Sequence, residues 1–448
     1  MKNKKIKNII SIIFIIVLLI FSYQIYNKRN FNSYIKAEYN PGISKFERDS
    51  QVKYNNYNSY KIESIDYNDA MFFKKIEVKP NTSYKVKCKI KTENVETKNE
   101  NIDAGAHICI GNSFEKSDNV VGTTDWKEVV FYFNSKNRKE LNVGFRLGGA
   151  EGDAKGKAWF SDFSIESAAV NTSNNWNFLC LLFNNVDVNI NGQNVKLQLT
   201  QIDKDDMTTC MRRFQTSMKE MTNGKMNIEY DIAEITTPIS SFSYDEENGY
   251  YVSGYNIKDV LDTYVKQGKY DHVFVAFRTG DINRKGAIPV NDWIGLGSME
   301  YRGLGFSNIR LPDDDNNYVY KYDNGINIFP EEVFIHEFLH TLERNSKEYG
   351  YERPELHSNS TYGYENKKMI GLKEWYQDYM NKNINSNNGK IGLPSEIYTK
   401  KPSKSTDFTY SHKLDYLKEP ENIIEELNNV VIRIRMLFNN SKEILENQ

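Results

Sequence analysis

From about residue 31 to residue 168, apolar and polar positions alternate in short runs separated by Asn, Gly, Lys and Asp clusters. Ala70-Met71-Phe72-Phe73, Tyr84-Lys85-Val86-Lys87-Cys88-Lys89-Ile90 and Lys127-Glu128-Val129-Val130-Phe131-Tyr132-Phe133 are examples. A period of two sends successive side chains to opposite faces of a strand, and no long helical period interrupts it, so this region predicts a β-sandwich. The polar stretch Asn171 to Asn175 ends the pattern.

Beyond it the periods mix. Trp176 to Val188 is strand-like, and Asp205 to Met221 places Met207, Met211, Phe214, Met218 and Met221 at helical spacing. Met226 to Ile235 predicts a strand. Ile257, Val260, Leu261, Tyr264 and Val265 predict a helix that stops at Gly268, and His272 to Phe277 a buried strand. Trp293 to Leu311 is Gly-rich and extended, and a helix begins at Glu331. A short helix around Leu372 to Met380 and an Asn-rich loop follow. A terminal helix opens at Pro420 and buries Ile423, Ile424, Leu427, Val431, Ile434 and Phe438.

The 448 residues call for two or three domains, and a formal net charge of -2 gives no drive toward nucleic acid, which is excluded as a partner. Lys2, Lys4, Lys5 and Lys7 precede an apolar run from Ile9 to Phe21, a basic segment before a hydrophobic one. No small-residue cleavage signature follows. Residues 1–30 therefore read as a signal peptide or an uncleaved signal anchor, and the rest of the chain as extracellular, secreted or tethered to the membrane. Of the four cysteines, Cys88 and Cys109 point to opposite strand faces, a Cys180–Cys210 pair stays open, and none has zinc-ribbon spacing.

The chemistry concentrates in His336-Glu337-Phe338-Leu339-His340. Histidines four apart project from one helix face and can converge on one zinc ion, and Glu337 beside the first can act as general base on a zinc-bound water. Ile335, Phe338, Leu339 and Leu342 supply the buried face of that helix, with Pro330, Glu331 and Glu332 suiting its start. The motif, with the upstream order of strands and helices, resembles the zincin metallopeptidases. That resemblance implies an α/β sheet with the motif helix at its mouth, one catalytic zinc, and an edge strand from Trp293 to Leu311 pairing with an extended peptide.

The third ligand is open. Metzincins carry a Gly three residues and a His six residues after the second motif His, where this chain has Glu343 and Ser346. Gluzincins would nominate Glu365 or Glu374 on a later helix. His357, in a loop led by Pro354 after a helix that stops at Gly350, is the first choice. The Tyr-Gly that follows it is similar to aspzincins, which place a ligand Asp before such a pair, but no Asp stands here. Glu343 is either a ligand or a residue that orients one. Tyr362 and Tyr364 are candidates for oxyanion donors, Tyr362 being preferred, and His412 for a substrate contact. His272 and His107 read as strand residues without a chemical role.

Thr123-Thr124-Asp125-Trp126-Lys127 and Gly156-Lys157-Ala158-Trp159-Phe160-Ser161-Asp162-Phe163 resemble jelly-roll carbohydrate-binding modules. The resemblance implies a glycan partner and a structural Ca2+, although Ser161 stands where that class has an acidic residue. Trp126 and Trp159 read as core residues, and Tyr54, Tyr57 and Tyr60 as candidate sugar-stacking rings.

The expected fold class is multidomain: an N-terminal β-sandwich (jelly roll) at 31–168, a linker at 169–176, and an α/β zincin-like metallopeptidase domain with a mainly helical C-terminal part at 177–448. The expected function is a zinc-dependent endopeptidase acting on extracellular protein or glycoprotein. Its alternative is a surface carbohydrate-binding or adhesion protein with an inactive peptidase-like domain.

Overall fold

The computed structural model describes residues 34–98, 103–150, 152–170, 173–265, 269–280, 287–291, 293–311, 329–364, 370–400 and 412–413. The segment 1–30 expected as a signal peptide or signal anchor, Glu365 and the terminal helix expected from Pro420 lie outside the described residues. No helix among the described residues is long and apolar enough to cross a membrane.

The first half is a β-sandwich. One sheet runs in the order β1 (Ile35–Glu38), β4 (Ala70–Glu77), β8 (Glu140–Gly148), β6 (Gly105–Ile110). The other runs β2 (Ser44–Tyr54), β3 (Tyr57–Asn68), β9 (Ala154–Val170), β5 (Thr82–Thr97), β7 (Gly122–Asn134). β21 (His412–Lys413) also pairs with β9, so a late segment of the chain returns to the sandwich at Ser167 and Glu166. All these pairings are antiparallel. The alternation read from the sequence sets the layers. On β5, Tyr84, Val86, Cys88 and Ile90 enter the core. The lysines between them face outward, where Lys89 meets Glu128 at 3.1 Å and Lys91 meets Asp125 at 2.8 Å. Such exposed pairs contribute little to stability; the core aromatics carry the sandwich.

Two expectations, for Tyr60 and Trp126, are corrected here. Tyr60 is a core ring, 5.4 Å from Phe72 and 5.6 Å from Phe145, because its position on β3 faces inward. Trp159 is buried, as read from the sequence, on the sheet face opposite Ala158 and Phe160, where its Nε1 donates to Asp49 at 2.9 Å. Trp126 is half-buried against Tyr54, with ring centroids 5.7 Å apart, and lies outside the core. Ser161 spends its hydroxyl on the Asn58 carbonyl at 3.2 Å. The four cysteines are free and buried, with Cys180 and Cys210 in one apolar core.

The second half is built on a five-stranded sheet in the order β13 (Asn227–Ile235), β10 (Asn175–Phe183), β16 (His272–Arg278), β18 (Leu304–Leu311), β17 (Gly295–Tyr301). The first four are parallel, and β17 is an antiparallel edge. β9 extends to Val170 and β10 begins at Asn175, so the connection is shorter than the 169–176 linker read from the sequence. Parallel strands are covered on both faces, which explains the apolar runs of β10 and β16. Trp176, Phe178, Cys180 and Leu182 face α1 (Gln201–Met221), α3 (Glu332–Glu348) and α4 (Ile370–Met380). Leu179, Leu181 and Phe183 face the hairpin β11 (Asn185–Ile190)–β12 (Gln193–Gln198) and α2 (Lys258–Tyr264). The described residues also form two small hairpins, β14 (Ser243–Asp245)–β15 (Gly249–Tyr251) and β19 (Ile384–Ser386)–β20 (Gly389–Ile391).

The two halves meet at an ionic seam. Arg302, in the β17–β18 turn, reaches Asp103 of the sandwich at 3.2 Å and Asp262 at 3.0 Å, and also pairs with Asp118. At the end of α3, Tyr349 Oη donates to Asn134 at 2.7 Å and Glu348 pairs with Lys136.

Candidate metal centre and cleft

α3 buries Val333, Phe334, Ile335, Phe338, Leu339 and Leu342, and it ends at Gly350, whose φ of +73° favours glycine. That register leaves His336 and His340 half-buried on the side away from the core. The chain then turns back, and the Leu356 side chain docks in the core while its carbonyl accepts from Trp375 Nε1 at 2.9 Å. The next residue is His357, which is thereby delivered to the motif histidines. The three ring centroids are each 5.0 Å apart. Their donor atoms lie within 4.8 Å of one another, and this is the one group of three or more His, Cys, Asp or Glu donors among the described residues. His357 Nε2 and His336 Nε2 are 3.0 Å apart.

The hydrogen bonds behind the rings decide which nitrogen is free. Tyr376 Oη donates to the Glu332 carboxylate, so it accepts from His336 Nδ1 at 2.8 Å. His340 Nδ1 donates to Glu343 Oε2 at 3.2 Å. Both imidazoles therefore keep the Nδ1–H tautomer and present Nε2 lone pairs to one point. Burial, then His340 and His357, pushes His336 down to about 3, so its ring is neutral at ordinary pH. Burial likewise lowers His357. A tetrahedral zinc about 2.1 Å from each nitrogen needs donors roughly 3.4 Å apart, which small side-chain rotations supply here. The donor set fits a zinc ion, with the cleft side open.

Glu343 ties two of the three together. Its other oxygen, Oε1, accepts from the Leu356 N–H at 2.9 Å and lies 3.4 Å from Arg353, so it fixes the loop that presents His357. Burial would raise this carboxyl, but His340, the Leu356 N–H and Arg353 outweigh burial and hold it down. Glu343 thus stands behind the triad and not in it. Glu374 is exposed on α4 and also absent from it.

Glu337 is buried and lies against the edge strand β17. The Gly297 N–H donates to its carboxylate, while burial and the nearby Glu332 raise its affinity for a proton well above the usual carboxylate range. The close approach requires glycine. A Cβ at position 297 would sit 2.7 Å from Glu337 Oε2, and one at 295 would be 2.6 Å from Val333 Cγ2. The cleft in front, about 610 Å3, is lined by the triad, Glu337, Glu332, Val333, the 293–297 segment, Glu247 and Asn248.

The structure does not bring Tyr362 to this cleft. Its 3-10 turn lays the ring near Trp375, with centroids 6.1 Å apart, and Tyr364 Oη is held by Asp378 at 2.5 Å. His412 lies on β21, paired with the sandwich. His272 is buried between Ser307 and Thr341, at 3.1 and 3.2 Å, and His107 is buried in the sandwich. Tyr376 is the residue sequence reasoning missed. Its signal was the apolar face of the 372–380 helix, which had to pack on something.

No family model and no curated protein matches the chain. Among solved structures, the enzymatically active domain of tailspike protein 4 from bacteriophage CBA120 is similar at 11% identity and TM-score 0.24, over 31% of this chain and 20% of that one. The CBM22-1 xylan-binding domain of Xyn10C from Paenibacillus barcinonensis is similar at 13% identity and TM-score 0.20, over 32% and 88%. TmCBM61, solved with β-1,4-galactotriose, is similar at 15% identity and TM-score 0.21, over 30% and 88%. Such TM-scores carry no argument about ligand or activity. The strand pairings themselves establish the β-sandwich, and the histidine triad stands on its own geometry.

Proposed function

We propose that the chain is an extracellular zinc-dependent endopeptidase of the zincin type, brought outside the cell by its N-terminal segment and acting on protein or glycoprotein. The observation that carries this reading is the convergence of His336, His340 and His357 on one point beside Glu337, inside a cleft open to substrate. A zinc ion held there would supply Lewis-acid polarisation of the scissile carbonyl and acidify water. Glu337, with raised proton affinity, takes the proton of the attacking water and hands it to the leaving amine. β17, the outer strand of its sheet, offers backbone groups to an extended peptide running past Glu337. Tyr376 and Glu343 keep the ligand rings oriented.

A second reading, a surface carbohydrate-binding protein with an inactive peptidase-like half, draws on the sandwich and on the half-buried Tyr54–Trp126 pair at its surface. The complete triad and the buried Glu337 argue against inactivity.

The test is zinc content by ICP-MS on the full chain and its His340→Ala and His357→Ala variants, with casein cleavage followed in parallel. The proposal expects about one zinc per wild-type chain, lost in both variants together with cleavage. Wild type without zinc after reconstitution, or with zinc and no cleavage of casein, would leave the binding reading.

A further inference from the structure

The cleft has a second wall, the turn of the β14–β15 hairpin, and that wall is fixed. Asn291 Nδ2 donates to the Glu246 carbonyl at 3.0 Å and the Glu247 carbonyl at 2.6 Å. Asn248 N donates to Asp245 at 2.7 Å, and Trp293 Nε1 donates to the Asn248 carbonyl at 2.8 Å. The hairpin is therefore bolted to the start of the edge strand. Its position relative to the triad is set by hydrogen bonds, not by a free loop.

Among the described residues, the charged ones lining the cleft apart from the triad are Glu247, Glu332 and Glu337, with no Lys or Arg. Two of these carboxylates are committed, Glu332 to Tyr376 and Glu337 to the Gly297 N–H. Glu247 is exposed, and no ion pair among the described residues uses it. Beside it stands Trp293, whose carbonyl accepts from the buried Arg310 and whose ring already stacks with that guanidinium at 5.6 Å, so the indole is rigidly braced and accepts cations over its face. An indole wall next to an uncommitted carboxylate suits a side chain with an apolar stem and a cationic head.

We infer that Glu247 is a specificity-determining residue, and that the cleft selects peptides with Lys or Arg close to the scissile bond. This rests on the peptidase reading. The methylene stem lies along Trp293 while the ammonium or guanidinium meets Glu247. An acidic side chain in the same place meets an unneutralised like charge.

The experiment uses the zinc-reconstituted full chain and three peptides that differ in having Lys, Ala or Glu flanking the cleavage site. Wild type cleaves the Lys peptide with kcat/KM about fivefold above the Ala peptide, carried mainly by KM and shrinking at high salt. Glu247→Gln abolishes that preference and Glu247→Lys reverses it toward the Glu peptide, each read as the ratio of kcat/KM between peptides within one variant. A Lys preference that survives in Glu247→Gln, or a wild type that cleaves all three equally, overturns the inference and leaves the peptidase intact. Failure of wild type to cleave any of the three overturns the peptidase reading and this inference with it.

Discussion

Glu343 shows how much a single carboxylate does at this centre. One oxygen holds His340 in its tautomer and the other holds the backbone that presents His357. Glu343→Ala should therefore weaken zinc binding by roughly 10- to 100-fold, read by competition with a chelator, and Glu343→Gln should recover part of it. Unchanged affinity in both would show that the loop is held by Leu356 and Trp375 alone. Tyr376→Phe removes the acceptor of the His336 Nδ1 proton and leaves the Glu332 carboxyl buried without its donor, so a loss of similar size is expected. At this scale the sequence displays His336, Glu337 and His340 openly, because a helix converts a spacing of four into a shared face. His357 was visible as a residue, though its arrival depended on a loop that no periodicity encodes. Tyr376 was invisible among 30 tyrosines, since its role exists only once α4 packs on α3.

The edge strand and the motif helix form one device. β17 can lie on Glu337 only because positions 295 and 297 lack side chains. Gly297→Ala should push the carboxylate aside, lowering kcat about tenfold or more while zinc content and far-UV circular dichroism stay as in wild type. Equal kcat would mean that Glu337 is not held by this strand. The 293–311 segment read from sequence as extended, a bent or edge strand; it is a hairpin turning at Arg302 and Gly303, with φ of +48° and +82°, and its first arm is the edge strand. Arginine is no turn signal by itself; its conformation here is held by three aspartates that sequence distance conceals. The helices of the sheet were legible to within a few residues because each buries an unbroken apolar stripe. The hairpins β14–β15 and β19–β20, three residues a strand, are too short to show a period.

The two halves are joined through charges, and that sets how the whole molecule responds to acid. Asp103 lies at the seam between Lys116 and Arg302. Burial alone would raise its carboxyl, but these two cations outweigh burial and hold it well below the usual carboxylate range. Burial brings Lys116 down to about 8, which still leaves it protonated at neutral pH and below. The folded protein thus keeps Asp103 ionised where the unfolded chain, with a value of ~3.9, takes up a proton. The stabilisation is complete above that value and disappears as pH falls through the folded one. Removing one partner strands buried charge, so Arg302→Ala should cost about 3 kcal/mol in urea unfolding at pH 7. Asp103→Asn should also lower the midpoint at pH 7, yet lose less than wild type between about pH 5 and pH 3, because its share of the acid sensitivity is already gone. Thermal unfolding of both proteins across that window decides the matter. Parallel slopes would place the acid-labile carboxylates elsewhere. Converging curves would identify the seam, and with it the contacts at Arg302 and Asp103 that join the sandwich to the edge-strand turn of the cleft.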